Sequence, residues 1–416
     1  MLDFSLDQHG SRFIQLKLDT LSPEDLAAAF RELAPKAMVL MNDVFGNYVI
    51  QKILELGPDD HREELAQQMK GQVLHLSLQM YSCRVVQRAL EVLPLERRIA
   101  LARELQDHAM RCVRDQNGNH VVQKCIECVP SEHITTMLDT FTGQIVSLSM
   151  HSFGCRVVQR ILEHCGGTPR YDSVMGEVQT AIVQLAQDQY GNYVIQHILE
   201  FGRPHERDRV INALAPHIVT LSRNKFASNV VEKCLLHGKP EQREALVEAI
   251  LAQPAGGGGE GGGGGVVDSP LHQMMRDQFG NYVVQKLLEV CNEDQRERLL
   301  EQLRVQLPYL KRLTYGKHIV ARVEKLLCSG ARISTGALAA AAAAAASASV
   351  APAAAPQAAC DAADARGGGD AGCGGGVMDE LAAGVSGLDV GHSLNTEALV
   401  AAAAAANTAD ERQWSE

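Results

Sequence analysis

Eight short segments of this chain place the same four kinds of side chain at the same offsets. Position i is Ser11, Asn47, Cys83, Asn119, Cys155, Asn192, Ser228 or Asn281. Position i+1 is Arg12, Tyr48, Arg84, His120, Arg156, Tyr193, Asn229 or Tyr282. Position i+4 is Gln15, Gln51, Gln87, Gln123, Gln159, Gln196, Glu232 or Gln285, and i+5 is a cation in six copies: Lys52, Arg88, Lys124, Arg160, Lys233 and Lys286. Leu16 and His197 complete that last set. One small polar group, one stacking plane, one amide or carboxylate and one cation describe a surface for reading nucleobases. Rings and guanidinium planes stack on bases, and Asn, Gln, Ser and Glu present groups to their Watson–Crick edges. A cation one turn beyond the stacking residue can sit near phosphate.

These side chains need an element that holds them on one face. At about 100° per residue on a helix, positions i, i+1, i+4 and i+5 fall within about 0–140°, while the apolar residues at i+2, i+3, i+6 and i+7 fall at about 200–340°. Each pentad is therefore expected on a helix with a core face and a free, solvent-facing stripe. A free stripe on a soluble helix normally varies without constraint. Here it draws on a short list, and alternation of Asn with Ser or Cys is not what packing requires. Successive pentads begin 36, 36, 36, 36, 37, 36 and 53 residues apart, and a weaker ninth copy starts at Lys317. A fixed period of this size marks a stacked helical-repeat array.

The pentads, the DQxGN lead-ins at Asp115 and Asp277 and the closing YGKHI at Tyr315 to Ile319 resemble the Pumilio (PUF) family of RNA-binding repeat proteins, over about residues 1–330. The resemblance implies an all-α, right-handed α-solenoid of eight three-helix Pumilio repeats, a curved crescent of armadillo-like build. In the family the second helices line the concave face and bind single-stranded RNA, one base per repeat. Carried over position by position, the i and i+4 residues above would meet base edges and the i+1 residues would stack. The six i+5 cations would lie along the RNA backbone.

Base identity is partly chemical and partly implied by the resemblance. Guanine offers two donors side by side, which a carboxylate accepts, so Glu232 with Ser228 points to G. Gln both donates and accepts and suits adenine or uracil. The family pairs Asn with Gln for U, and Cys or Ser with Gln for A, with the RNA antiparallel to the protein. From the eighth repeat to the first, the stripe then spells 5′-UGUAUAUA-3′. The ninth copy, with Lys317, His318 and Ala321, lacks the i+4 amide and is expected to cap the array without reading.

The net charge of −11 looks wrong for a nucleic-acid binder until it is located. Residues 331–416 hold three basic and ten acidic residues, a net of −7 that leaves −4 for the array. Nine Lys or Arg occupy the i+1 and i+5 positions against one acid, Glu232. Eleven cysteines without a signal peptide argue for a reducing compartment. Cys125 and Cys128 spell CxxC, but with no second pair and no His at finger spacing they read as ordinary thiols, with no metal and no cofactor. No apolar run reaches the roughly 20 residues that span a membrane.

Along the chain, residues 1–10 lead straight into the first pentad. Family members usually carry an N-terminal half-repeat, and there is room here only for its last residues, so either the chain is a fragment or its first repeat is loosely held. After each pentad comes a break (Gly57-Pro58, Pro94, Pro130, Gly166-Gly167, Gly202 to Pro204, Lys239-Pro240), then an amphipathic helix such as Leu95–Leu105, then a short helix. Pro and Gly at these points stop helices and turn the chain. The long interval contains a Gly-rich insertion at about residues 254–268, expected to be a flexible surface loop. Residues 331–416 are Ala- and Gly-rich with nothing apolar to bury, the composition of a disordered tail.

The expected activity is thus sequence-specific binding of single-stranded RNA in mRNA 3′ untranslated regions. The family adds repression of translation or mRNA stability through co-repressors or deadenylation machinery on the convex face, by a cytoplasmic monomer. A peptide-binding helical-repeat scaffold would not call for one Glu among seven Gln. A nucleolar ribosome-assembly relative would show degenerate pentads. No recurring set of nucleophile, base and oxyanion donor suggests an enzyme.

Overall fold

The computed structural model describes residues 1–252, 269–312, 317 and 319–323. All of these belong to one compact unit, Met1–Ser349. A second unit, Val350–Glu416, falls wholly outside the described residues, as do the Gly-rich insertion and the tail. Among the described residues there is no strand.

Each pentad opens an eleven-residue helix: Gln8–Leu18, Gly46–Leu56, Ser82–Val92, Gly118–Cys128, Gly154–His164, Gly191–Phe201, Ala227–His237 and Gly280–Val290. Successive pentad helices pack side by side as one layer. A short helix precedes each, from Leu2–Ser5 and Ala37–Asn42 to Pro270–Arg276, and an outer helix follows, so the repeat has three helices. The expected breaks are where the chain turns: Pro58, Pro94 and Pro130 sit just before an outer segment, and Pro204 and Pro240 begin one. Gly167 takes a left-handed φ of 85° in its turn, a conformation that costs other residues.

Two outer segments depart from the expected pattern. The helix from Leu95 ends at Arg103 and continues into a 3-10 turn, Gln106–His108. In the fourth repeat the outer helix shrinks to Thr135–Asp139 after a 3-10 turn, in keeping with the weak helix propensity of Ile134, Thr135 and Thr136. The last outer helix runs for 18 residues, Glu293–Leu310.

Carboxylates fix the start of most pentad helices. Asp43 Oδ1 accepts from the backbone N–H groups of Phe45 and Gly46 at 2.9 and 2.7 Å; Asp7, Asp115, Asp188 and Asp277 cap in the same way. Such caps satisfy donors that the first helical turn leaves unpaired. Asn224 Oδ1 does this in the seventh repeat and His151 Nδ1 in the fifth. The residue before the pentad is small because the short helix passes against it: a Cβ on Gly154 would lie 2.5 Å from the Leu148 carbonyl oxygen.

The apolar face is the core. Val49, Ile50, Ile53 and Leu54 are at most 1% exposed, and their counterparts join them in one continuous apolar layer. The exceptions lie in the first repeat, where Lys17 at i+6 is exposed and Phe13 is half exposed with the Phe4 ring edge-on at 5.8 Å. That contact and the buried Ser5 hold residues 1–5 against the first pentad helix.

Candidate nucleic-acid interface

The structure brings all the pentad positions onto one helical layer but corrects the expectation that position i faces solvent freely. All eight residues at i are buried, from 1% exposed at Asn119 to 5% at Ser228. The reason is local. Position i lies in the first helical turn, where its side chain folds back onto carbonyls of the preceding loop. Asn119 Nδ2 donates to the carbonyls of Asp115 and Gln116, both at 2.9 Å. Asn47, Asn192 and Asn281 repeat the arrangement. Ser11, Cys83, Cys155 and Ser228 reach only the i−3 carbonyl, at 3.2–3.5 Å. Both classes satisfy that carbonyl, so capping does not dictate which one a repeat uses.

The choice at i sets the amide at i+4. Beside Asn, the Gln Nε2 donates to the Asn Oδ1: Gln51 to Asn47 and Gln123 to Asn119 at 2.9 Å, Gln196 to Asn192 at 2.8 Å and Gln285 to Asn281 at 3.1 Å. Beside Ser or Cys, it donates to the backbone carbonyl of residue i: Gln15 to Ser11 at 3.2 Å, Gln87 to Cys83 and Gln159 to Cys155 at 3.1 Å. The layer therefore presents two amide settings in strict alternation through the first six repeats. Glu232 breaks the series. It is half-buried, and that burial, opposed by Lys286 and aided by Glu289, holds its carboxyl above the usual range. Burial likewise raises the thiols of Cys83 and Cys155.

Position i+1 is exposed in all eight copies. Tyr48, Tyr193 and Tyr282 leave about half of their surface open, and the Arg156 guanidinium lies 5.6 Å from the Tyr193 ring centre in the next repeat. Burial and the neighbouring Arg84 charge both lower the His120 imidazole below the usual range. Exposed planes from successive repeats thus stand in one row.

The i+5 cations are not open charges. Lys52 pairs with Asp19 at 2.7 Å and Glu55 at 3.8 Å. Arg88 pairs with Glu55 and Glu91, Lys124 with Glu91 and Glu127, and Arg160 with Glu127 and Glu163. His197 meets Glu163 at 2.8 Å, Lys233 meets Glu200, and Lys286 and Arg322 both meet Glu289. Although burial pulls the Lys124 ammonium down, its hydrogen bonds to Glu127 and Glu91 leave it raised. The acids occupy i+8, which a count of charges at i+1 and i+5 passes over. Their angle of about 80° puts them inside the same stripe, so the wheel held the signal. Arg322, at i+5 of the ninth copy, extends this rail.

Cys125 and Cys234 are fully buried on the core face, and burial raises both thiols; Cys128 is half-buried. Among the described residues no cluster of His, Cys, Asp and Glu is placed to hold a metal ion, and no helix is long and apolar enough to cross a membrane.

A family model described as a Pumilio-family RNA binding repeat matches residues 1–34, 37–69, 72–106, 109–140, 144–171, 181–215, 217–251 and 271–304, each segment holding one pentad helix. The mRNA-binding protein puf3 of Schizosaccharomyces pombe is 49% identical over 77% of this chain and 42% of its own length. Pumilio homolog 1 of Xenopus laevis is 46% identical over 78% of this chain and 27% of its own. The chain thus spans less than half the length of these curated relatives. Among solved structures, the Puf3 RNA binding domain bound to the Cox17 RNA 3′ UTR recognition sequence site A superposes with a TM-score of 0.69 and 41% identity, covering 77% of this chain and 93% of that one. PUF-8 in complex with PBE-RNA gives 0.70 and 36%, covering 78% and 92%. With eight family segments in register along the α-solenoid, this chain belongs to the Pumilio family of RNA-binding repeat proteins.

Proposed function

We propose that the chain is a sequence-specific binder of single-stranded RNA that reads elements of the form 5′-UGUAUAUA-3′ in mRNA 3′ untranslated regions and acts in the cytoplasm as a post-transcriptional repressor. The observation that carries this reading is the alternation of two Gln settings, interrupted by one carboxylate at Glu232. In either setting the amide keeps its carbonyl and one N–H for a base edge. Asn at i adds a second polar oxygen, suited to a pyrimidine, while Cys or Ser leaves room for a purine. Glu232 offers two acceptors to the paired donors of guanine. The row of i+1 planes supplies stacking, worth roughly 1–3 kcal/mol per base. Two similar structures were solved with RNA, one of them a 3′ UTR sequence.

Phosphate contact by Lys52, Arg88, Lys124, Arg160, Lys233 and Lys286 would have to compete with the carboxylate rail. Affinity in this reading rests on bases more than on charge. Repression requires protein partners, co-repressors or deadenylation machinery, which this reading assigns to the face opposite the pentad helices. Selection from a random RNA pool tests the reading: enrichment of UGUAUAUA-like sequences is expected, and enrichment of unrelated or no sequences would overturn it.

A further inference from the structure

Seven of the eight pentad helices carry one acid in the stripe at i+8, namely Asp19, Glu55, Glu91, Glu127, Glu163, Glu200 and Glu289, and a Gln at i+4. The seventh reverses this: its acid is at i+4, Glu232, and its i+8 residue is Leu236, 44% exposed among charged neighbours. The rail shows the effect. Where the second to fifth repeats hold each cation between two carboxylates, Lys233 pairs among the described residues with Glu200 alone and Lys286 with Glu289 alone. Both half-paired cations flank the gap that a carboxylate at 236 would fill.

We propose that Leu236 is a positioning residue for base selection by the seventh repeat: by leaving the rail one carboxylate short, it lets Lys286 hold the half-buried Glu232 as a carboxylate, the form that accepts two N–H donors from a guanine edge. The inference rests on the base-reading role proposed above for Glu232. An acid at 236 would place a like charge one helical turn from Glu232, an unfavourable i,i+4 pair, and would draw the Lys286 ammonium away from it. Burial raises the Glu232 carboxyl while Lys286 opposes the rise, so removing that opposition raises it further.

The charged and titratable groups around Glu232 are few. Its own helix brings Lys233, His237 and the buried Cys234, the sixth pentad helix brings Tyr193, His197 and Glu200, and the eighth brings Tyr282, Lys286 and Glu289. The short helices Ile182–Gln187 and Ile218–Ser222, which also pack on this helix, bring none. From the outer helix Pro240–Leu251, Arg243 donates to the Gly238 carbonyl at the far end and Glu248 pairs with Arg298; Glu241 and Glu244 also lie on that helix. Lys286 is therefore the cation placed to balance Glu232, against the like charge of Glu289.

The test measures affinity of the full chain for 5′-UGUAUAUA-3′ and 5′-UAUAUAUA-3′ from about pH 5 to about pH 8. In the wild type, preference for G over A is expected to fall as acidification protonates Glu232. Leu236→Glu should move the midpoint of that loss upward by about one pH unit, and the neutral Leu236→Gln should leave it in place. Lys286→Met should shift it in the same direction, which keeps the test decisive if Leu236→Glu does not fold. An unmoved midpoint in the folded variants, or an equal loss of affinity for both RNAs at every pH, would overturn the proposal. Glu232→Gln separates the two levels: if it keeps full preference for G, the base-reading assignment itself fails, whereas loss of that preference with an unmoved Leu236→Glu midpoint condemns only the role of Leu236.

Discussion

Gln123 donates from Nε2 to the Oδ1 of Asn119 at 2.9 Å. One repeat on, Gln159 donates to the backbone carbonyl of Cys155 at 3.1 Å. Asn119→Ser should therefore move Gln123 into the second setting and change the fourth repeat's preference from U to A. The substitution loses two Nδ2 bonds to the carbonyls of Asp115 and Gln116 and regains one hydroxyl contact. A net cost of about 0.5–1.5 kcal/mol is expected. Chemical denaturation measures that cost, and binding to RNAs that differ only at the base facing this repeat measures the switch. An unchanged preference for U would show that the residue at i does not select the base.

Stacking is expected to be separable from edge reading. Tyr193 is 47% exposed, with the Arg156 guanidinium 5.6 Å from its ring centre. Tyr193→Ala should weaken RNA binding by roughly 1–3 kcal/mol and leave the sixth repeat's base preference intact. A competition series with all four bases at that position checks both halves. A changed preference would contradict the division of labour between i+1 and the i, i+4 pair.

The repeat period, the helical face and the break positions could be read from sequence because each rests on local chemistry: apolar spacing, Pro and Gly. What escaped depended on which group meets which. A helical wheel places Asn119 on the stripe, but only the fold shows it turned back onto the carbonyls of Asp115 and Gln116. The Asp lead-ins announce caps, whereas His151 serves the fifth repeat through a ring nitrogen that no carboxylate pattern marks. Glu91 and Glu127 lay on the same face as Lys124, within reach of the wheel, yet a count restricted to two positions left them out and made the stripe look more basic than it is.

That rail bears on salt dependence. Lys124 sits between Glu91 at 2.9 Å and Glu127 at 2.7 Å, so a phosphate must displace a carboxylate to engage it. A cation that neutralises a phosphate of single-stranded RNA contributes about 0.7 to the slope of log affinity against log salt. Lys124→Met should change that slope by clearly less than about 0.7 while lowering thermal stability slightly, because Glu91 and Glu127 each lose one of two cationic partners. A full slope change on titration in potassium chloride would place Lys124 on the RNA backbone.

Exchange of the seventh repeat's readers tests the selection scheme as a whole. Ser228→Asn with Glu232→Gln gives that repeat the pair found in the second, fourth, sixth and eighth. Ser228 is 5% exposed, so the swap is not a surface change. Its hydroxyl reaches only the Lys225 carbonyl, at 3.4 Å, whereas Asn in the other repeats holds two carbonyls. The substitution also removes a half-buried carboxylate held above its usual range. The double variant should accordingly unfold at a higher temperature than the wild type, by about 1 kcal/mol of added stability if one net hydrogen bond is gained. Against 5′-UGUAUAUA-3′ it loses the carboxylate that accepts from guanine and should bind more weakly by roughly 1–3 kcal/mol, by analogy with single-base-pair mismatches in DNA sites. Against 5′-UUUAUAUA-3′ it should recover most of that loss, less whatever stacking Asn229 fails to provide. A two-by-two matrix of both proteins against both RNAs, at one fixed salt concentration, reads the outcome. Crossed preferences support base selection by Ser228 and Glu232. Equal weakening on both RNAs would remove these residues as readers, and the UGUAUAUA assignment with them.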